Sequence, residues 1–127
     1  MIEIREEKAK DLHLIRSINE QAFGQPAEAN VVDKLRETCP GLLSLVAILD
    51  GQVAGHVLFS PAVIDGHGSS VQGMGLAPLA VLPEFQNRGV GSELTRTGLR
   101  MLQEQGCPFV IVLGHPDYYY PRFGFEK

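Results

Sequence analysis

The first third of the chain changes from a strand-like to a helix-like spacing of apolar residues. Ile2 and Ile4 alternate with charged residues, which predicts a short first strand. Apolar residues then recur at helical spacing from about position 9 to 23, and again from position 26 or 27 to about 37, so two helices are predicted there. The apolar positions expected to face the core are Leu12, Ile15, Ile18 and Ala22 in the first helix and Val31, Val32 and Leu35 in the second.

Three extended segments follow, at positions 42–49, 52–64 and 71–81, and the turns between them are short. Asp50-Gly51 is a strong signal for a two-residue hairpin turn. Within the second segment, Gly55 predicts a bulge and Pro61 predicts a break or an edge position. Gly73 and Gly75 in the third segment indicate a bulge or a close approach by backbone or ligand.

The last part of the chain predicts a helix and then a parallel strand. The helix runs from 90 to 105 with Val90, Leu94, Thr97 and Met101 on one face, and Gly98 in its middle indicates close packing. Positions 109–113 form a continuous apolar run, which is typical of a parallel strand covered on both faces. The predicted order is β-α-α-β-β-β-α-β with a short helix after it, an α/β fold with a mixed sheet.

Composition narrows the class of protein. A length of 127 residues predicts one domain over residues 1–127. The net charge of −4, without a basic cluster, argues against nucleic acid as a partner. The sequence contains no apolar run long enough to span a membrane, and its first residues do not form a signal peptide, so the expected compartment is the cytoplasm. The spacing of the two cysteines and four histidines predicts no metal site.

The stretch 79–94 joins an apolar strand end, a turn with glycine and arginine, and a helix start. Backbone N–H groups at a helix start have no acceptor within the helix, and the helix dipole favours an anion there. Gly89 and Gly91 allow the backbone to approach a phosphate closely, while Arg88 adds a positive charge and Ser92 a hydroxyl. This arrangement predicts a phosphate site, although a tight connection without a ligand has the same local pattern.

Residues 86–91, Gln-Asn-Arg-Gly-Val-Gly, fit the Gln/Arg-x-x-Gly-x-Gly/Ala loop of the GNAT N-acetyltransferase family, and the Leu-Ala-Val-x-Pro before them resembles the strand that precedes that loop. The element order resembles the same family over nearly the whole chain. The resemblance implies an acyl-CoA-dependent N-acyltransferase fold and activity, with acetyl-CoA as co-substrate. It further implies pyrophosphate binding by the amides of residues 86–92 and pantetheine pairing with the backbone of residues 79–81. The implied cofactor-binding residues are Leu79, Ala80, Val81, Gln86, Asn87, Arg88, Gly89, Val90, Gly91 and Ser92.

The catalytic groups are less well defined than the CoA loop. Tyr120 stands four residues before Gly124-Phe125, where the resemblance implies a tyrosine near the CoA sulfur, and a phenol can protonate a departing thiolate. His115 follows the parallel strand and is a candidate base because of the ordinary pKa range of histidine. No carboxylate lies within residues 73–78, the strand segment before the loop. Other possibilities for the general base are therefore Glu84, Glu28 and an ordered water, and an amine that arrives neutral would need no base.

The chain stops soon after Gly-Phe, where relatives of this family continue with two further strands. We therefore expect either a truncated sequence or a homodimer that covers the hydrophobic strand edge. The expected acceptor is a primary amine on a small molecule or a peptide. The alternatives are a non-catalytic CoA-binding or regulatory module and, with less support, a purely structural α/β domain.

Overall fold

The computed structural model describes residues 1–66 and 68–112. These residues form three α-helices and five β-strands, in the predicted order. The strands are β1 (Ile2–Glu6), β2 (Leu43–Leu49), β3 (Gln52–Gly66), β4 (Ser69–Val81) and β5 (Val110–Val112), and the helices are α1 (Leu12–Phe23), α2 (Ala27–Thr38) and α3 (Val90–Glu104).

The five strands form one sheet in the order β1-β2-β3-β4-β5. The first three pairings are antiparallel. The fourth, between β4 and β5, is parallel, and α3 connects these two strands along the chain. The mixed α/β fold predicted from the sequence is therefore confirmed. The turn between β2 and β3 has positive φ angles at Asp50 (53°) and Gly51 (74°), which is the type I′ hairpin geometry that an Asp-Gly pair favours.

Alternate residues of the central strands pack on opposite faces of the sheet. Val46 and Leu58 pack with Ile15 of α1 and Val32 of α2 on one face. Leu45, Ala47, Val57 and Phe59 belong to a larger cluster that includes Val90, Leu94 and Leu102 of α3. The sheet is thus a layer between the α1–α2 pair and α3, and β4 contacts both α1 and α3.

Three of the predicted helix faces need correction. Leu12 is 42 % exposed and Val31 is 50 % exposed, whereas Asn19 and Ala29 are buried. Residues Ala9–Asp11 form a separate 3-10 turn before α1, so the face of the first helix is set by Ile15, Ile18 and Asn19 and not by Leu12. In α3 the residues buried against the sheet are Val90, Leu94, Thr95, Gly98 and Leu102, while Thr97 and Met101 are only partly buried.

Two of the glycines singled out in the sheet, Gly73 and Gly55, have a packing reason, whereas a Cβ at Gly75 would make only ordinary contacts. A Cβ at Gly73 would lie 2.6 Å from the Phe109 ring, and one at Gly55 would lie 2.9 Å from Val90 Cγ1. The register shift between β2 and β3 falls next to Gly55, as predicted. Pro61 does not break β3. It lies beyond Phe59, where the pairing with β2 ends, so it occupies the predicted edge position.

The predicted burial of the last strand on both faces is wrong for its described residues. Val110 and Val112 pack against the larger core cluster. Ile111 points to the other face and stays 39 % exposed in the described part of the chain. None of the helices within the described ranges is both long and apolar enough to cross a membrane.

Candidate functional site

In the described part of the chain, the C-terminal end of β4 carries an open backbone edge, with no strand partner on the side of β5. Among residues 1–66 and 68–112, β4 pairs with β5 only over positions 74–76, although it continues to Val81. The amide of Leu82 donates to Ala54 O at 2.9 Å, which makes Gly55 and Val81 a non-hydrogen-bonded pair of the β3–β4 ladder. The backbone groups of Leu79 and Val81 therefore point away from β3, toward the side that β5 leaves open.

The turn after β4 is held by two buried anchors. Leu82 and Phe85 are 6 % and 8 % exposed, and Phe85 belongs to a short 3-10 turn over Pro83–Phe85. The guanidinium carbon of Arg88 lies 5.6 Å from the centroid of the Phe85 ring, which is a cation–π distance. These contacts fix the path of the loop and hold the Arg88 charge beside it.

Residues 86–89 form the exposed part of this turn. Asn87 and Gly89 have φ angles of 64° and 84°, in the left-handed region that asparagine and glycine tolerate best. Nothing lies within 4 Å of a Cβ built on Gly89, so its conformation, and not crowding, explains the glycine. The side-chain amide of Gln86 donates to Val81 O at 3.0 Å and ties the turn back to the open edge of β4.

Helix α3 begins directly after this turn. Gly89 is its N-cap, and the Glu93 amide donates the first helical hydrogen bond to Gly89 O at 3.0 Å. The amides that precede Glu93 face out of the helix end, where the helix dipole contributes partial positive charge. The open edge of β4, the Arg88 charge and this helix start thus lie on one continuous strand–turn–helix segment.

The structure places the other predicted site residues as follows. Glu84 is exposed in the turn after β4, and Glu28 is partly buried in the first turn of α2. Tyr120 and His115 lie outside the described residues, so their predicted roles stay predictions. All ten residues predicted to bind CoA fall on the strand–turn–helix segment 79–92.

A buried chain of polar side chains on the α1–α2 face was missed by sequence reasoning. His56 of β3 is fully buried, its Nδ1 lies 3.2 Å from Asn19 Nδ2 of α1, and its Nε2 lies 2.9 Å from Ser44 Oγ of β2. Ser44 donates to the Glu7 carboxylate, which also pairs with Arg36 of α2. We name this set, Asn19, His56, Ser44, Glu7 and Arg36, the polar chain.

Burial determines the protonation of this chain. Loss of solvation lowers the pKa of His56 from 6.5 to about 4, although the Glu7 charge acts in the opposite direction. Burial alone would raise the pKa of Glu7, but hydrogen bonds from Arg36 and Ser44 hold it below its ordinary value. At neutral pH the imidazole is therefore neutral and the carboxylate is charged.

A surface cavity of about 400 Å³ lies next to this chain, between the end of β1 and the end of α2. Glu7, Arg36 and Ser44 contribute to its wall, and their polar atoms already bond to one another. The cavity is thus a poor candidate for an acceptor site. In the described ranges no group of three or more His, Cys, Asp and Glu side chains is arranged to hold a metal ion.

Comparison with known families and relatives gives consistent matches. The profile of the acetyltransferase (GNAT) domain matches residues 3–127. The chain is 46 % identical to the uncharacterized N-acetyltransferase YjhQ of Escherichia coli K12, over 88 % of this chain and 62 % of that protein. It is 42 % identical to the uncharacterized N-acetyltransferase YhbS of the same strain, over 97 % of this chain and 72 % of that one. The chain therefore spans less than two thirds of the length of YjhQ.

Two solved structures combine substantial identity with close structural similarity. A GNAT family acetyltransferase from Brucella melitensis, in complex with acetyl-CoA, is 41 % identical with a TM-score of 0.87, over 100 % of this chain and 84 % of that one. YhbS from Escherichia coli, in complex with CoA, is 41 % identical with a TM-score of 0.85, over 98 % and 68 % of the two chains.

Proposed function

We propose that this chain, which belongs to the GNAT acetyltransferase family, transfers an acetyl group from acetyl-CoA to a primary amine. One observation carries this proposal most directly. The open backbone edge at Leu79 and Val81 continues through a left-handed turn into the start of α3. A 41 % identical neighbour with the same fold was crystallised with acetyl-CoA.

The CoA moiety would lie along this segment. Its pyrophosphate would accept hydrogen bonds from amides of residues 86–92, with Arg88 and the α3 dipole offsetting its negative charge. The amide groups of the pantetheine arm would pair with the outward backbone groups of Leu79 and Val81, in the manner of an added strand. Ala80, whose backbone pairs with His56 of β3, would hold that edge in register.

Acetyl transfer then proceeds by direct attack. The neutral amine nitrogen bonds to the thioester carbonyl carbon, negative charge develops on the carbonyl oxygen, and the carbon–sulfur bond breaks as the amide forms. A strand amide near Val81 that points away from β3 is the proposed donor to that oxygen. The leaving thiolate takes up a proton, and the nitrogen loses one.

Tyr120 is the proposed acid for the thiolate. His115 is the first candidate for the base that accepts the proton of the amine, and Glu84, Glu28, a water molecule or an amine that is already neutral are the other routes. The acceptor is proposed as a small molecule or peptide that carries a primary amine. A homodimer and a cytoplasmic location remain our predictions.

Turnover separates this function from the alternatives. We would incubate the purified chain with acetyl-CoA and a panel of primary amines and peptides, and measure the free thiol of released CoA. Acetyl transfer to one class of amine supports the proposal. Thermal stabilisation by acetyl-CoA without turnover would instead indicate a non-catalytic CoA-binding module, and the absence of both would indicate a structural role.

A further inference from the structure

Between Asn19 and Glu7 the hydrogen bonds of the polar chain run in one donor direction, and both ends of this stretch require that direction. At one end, Asn19 Nδ2 donates to Ile15 O at 2.9 Å. A carbonyl oxygen can only accept, so the Asn19 atom between Ile15 O and the imidazole is the amide nitrogen. Its second hydrogen reaches His56 Nδ1 at 3.2 Å, and Nδ1 must therefore carry the lone pair.

The other end leads to the same tautomer. The ionised Glu7 carboxylate only accepts, so the single hydrogen of the Ser44 hydroxyl is donated to it. Ser44 Oγ must then accept from His56 Nε2, at 2.9 Å. Two independent constraints thus require a neutral imidazole with its proton on Nε2.

The polar chain joins elements that are distant in the sequence. It connects α1, β3, β2, the segment after β1 and α2 through Asn19, His56, Ser44, Glu7 and Arg36. The charged groups that face His56 are Glu7 and Arg36, while its neighbours from β2 and α1 are the uncharged Ser44 and Asn19. On β4 its register partner is Ala80, which is also uncharged.

We propose that His56 is a positioning residue for acetyl transfer, which fixes α1 and α2 against the sheet beside the β4 edge by holding the hydrogen bonds from Asn19 to Glu7 in a single donor direction. The functional part of this proposal rests on the proposed function, because it assigns the acceptor amine to the space between α1 and the open edge of β4. Helix α1 packs against both β3 and β4, so the Asn19–His56 hydrogen bond sets the position of α1 relative to these strands. The CoA loop lies on β4 and α3, outside the polar chain.

Protonation of His56 would break the polar chain at Nδ1. A proton on Nδ1 would point at the Asn19 N–H, and two donors would then face each other. Asn19 Oδ1, the one buried side-chain N or O atom without a hydrogen-bond partner among the described residues, could accept that proton only if the amide rotated and gave up Ile15 O. The low pKa of His56 agrees with this geometry.

The first test is the imidazole tautomer. Long-range ¹H–¹⁵N spectra of the full chain at pH 7 should show His56 neutral with its proton on Nε2, and the exposed His13 gives a reference signal in the same spectrum. A His56 protonated on Nδ1, or on both nitrogens, would overturn the proposal. The variant Asn19→Asp replaces the donor with an acceptor, so the His56 signal should move to the doubly protonated form. An unchanged signal in Asn19→Asp would also count against it.

The second test compares His56→Gln with Val46→Ala. Val46 is the β2 neighbour of His56, is fully buried on the same face and packs with Ile15 and Val32 of the two helices. Val46→Ala therefore controls for lost packing under α1 and α2 without loss of a hydrogen bond. His56→Gln should speed amide exchange in α1 and α2 relative to α3, and raise KM for the best amine of the panel about threefold or more. Its stabilisation by acetyl-CoA should stay unchanged.

The outcomes separate the two proposals. Equal effects of His56→Gln and Val46→Ala on amide exchange and on KM would overturn the positioning role. If the unmodified chain shows no acetyl transfer, the proposed function fails. The tautomer of His56 and the amide exchange rates of α1 still decide, in that case, whether His56 holds the helices in place.

Discussion

Gly98 of α3 lies directly against the ring of Phe59 in β3. A Cβ atom at Gly98 would be 2.3 Å from Cε2 and 2.4 Å from Cζ of that ring, closer than real Cβ contacts allow. Phe59 belongs to the larger core cluster, and Gly98 is buried on the face of α3 that packs against it. The missing side chain therefore lets α3 approach the sheet, and this approach brings the start of α3 over Gly55 and beside the end of β4.

We expect Gly98→Ala to destabilise the protein despite the helix propensity of alanine. Alanine should contribute about 1 kcal/mol within the helix. Forcing its methyl group against Phe59 should cost about 2–3 kcal/mol, the upper part of the usual range for overpacking, because the ring is fully buried and the contact would be only 2.3 Å. The net loss in the free energy of unfolding, measured by urea denaturation, should be about 1–2 kcal/mol.

The double variant Gly98→Ala/Phe59→Leu tests the cause. The smaller leucine should relieve the clash, so the double variant should lose less stability than the sum of the two single variants, by about 1 kcal/mol or more. Additive losses would show that Phe59 is not the group that excludes a side chain at position 98.

Much of the fold follows from short-range patterns in the sequence. The hairpin at Asp50-Gly51 and the strand–turn–helix at the end of β4 were predictable, because each depends on residues adjacent in the chain. Gly98 in the middle of a helix also predicted close packing, but the sequence did not identify Phe59 as its partner. Leu12 and Val31 were placed wrongly because apolar residues on helices of this length can occupy more than one face. The face is decided by packing partners that the local pattern does not contain.

The polar chain could not have been predicted in this way. Asn19, His56, Ser44 and Glu7 are separated by 12 to 37 positions along the chain and come from elements that meet only in the folded sheet. A buried histidine has no spacing signature. The Gln86 hydrogen bond to Val81 O is a similar case, since the motif indicates a phosphate loop but not which side chain ties it to the strand.

Two variants at Gly89 should distinguish the effect of loop conformation on acetyl-CoA binding from the effect of charge. Asparagine and aspartate both tolerate the left-handed φ of 84° and have nearly the same shape, and no atom lies within 4 Å of the added Cβ. Gly89→Asn should keep most of the thermal stabilisation by acetyl-CoA. Gly89→Asp should weaken acetyl-CoA binding about tenfold or more, because it places a negative charge beside the proposed pyrophosphate site.

Isothermal titration with CoA at low and high salt measures this difference. Added salt should narrow the gap between the two variants, since it screens exposed charges. Equal affinities for Gly89→Asn and Gly89→Asp would mean that the phosphates bind elsewhere.

Stability should fall as the pH drops from about 6.5 toward 4. The pKa of His56 is lowered from 6.5 to about 4 in the folded protein, so the unfolded chain takes up a proton in this range before the folded one does. The stabilising contribution is thus fully present above pH 6.5 and is lost toward pH 4, with an upper limit of about 3 kcal/mol. The lowered pKa of Glu7 adds a loss of the same sign below about pH 4.5.

Urea denaturation at pH 7, 6, 5 and 4.5 checks this dependence. His56→Gln removes the titrating group, so its free energy of unfolding should change less between pH 6.5 and 5 than that of the unmodified chain. Parallel pH profiles for the two proteins would show that another group causes the loss.

The three consecutive tyrosines provide matched controls for the proposed acid. Tyr118→Phe, Tyr119→Phe and Tyr120→Phe each remove one hydroxyl group from neighbouring positions. If Tyr120 protonates the leaving thiolate, Tyr120→Phe should lower kcat about 10²-fold, the low end of the range for a general acid, and leave acetyl-CoA binding unchanged. The other two variants should keep kcat within about threefold of the unmodified chain.

The pH profile adds a second criterion. A phenol acts as an acid only while it is protonated, so kcat of the unmodified chain should fall at high pH. Tyr120→Phe should have a lower kcat, and its kcat should no longer fall at high pH. A uniform loss in all three variants would assign the tyrosines a packing role, and a loss confined to Tyr118→Phe or Tyr119→Phe would move the acid to that residue.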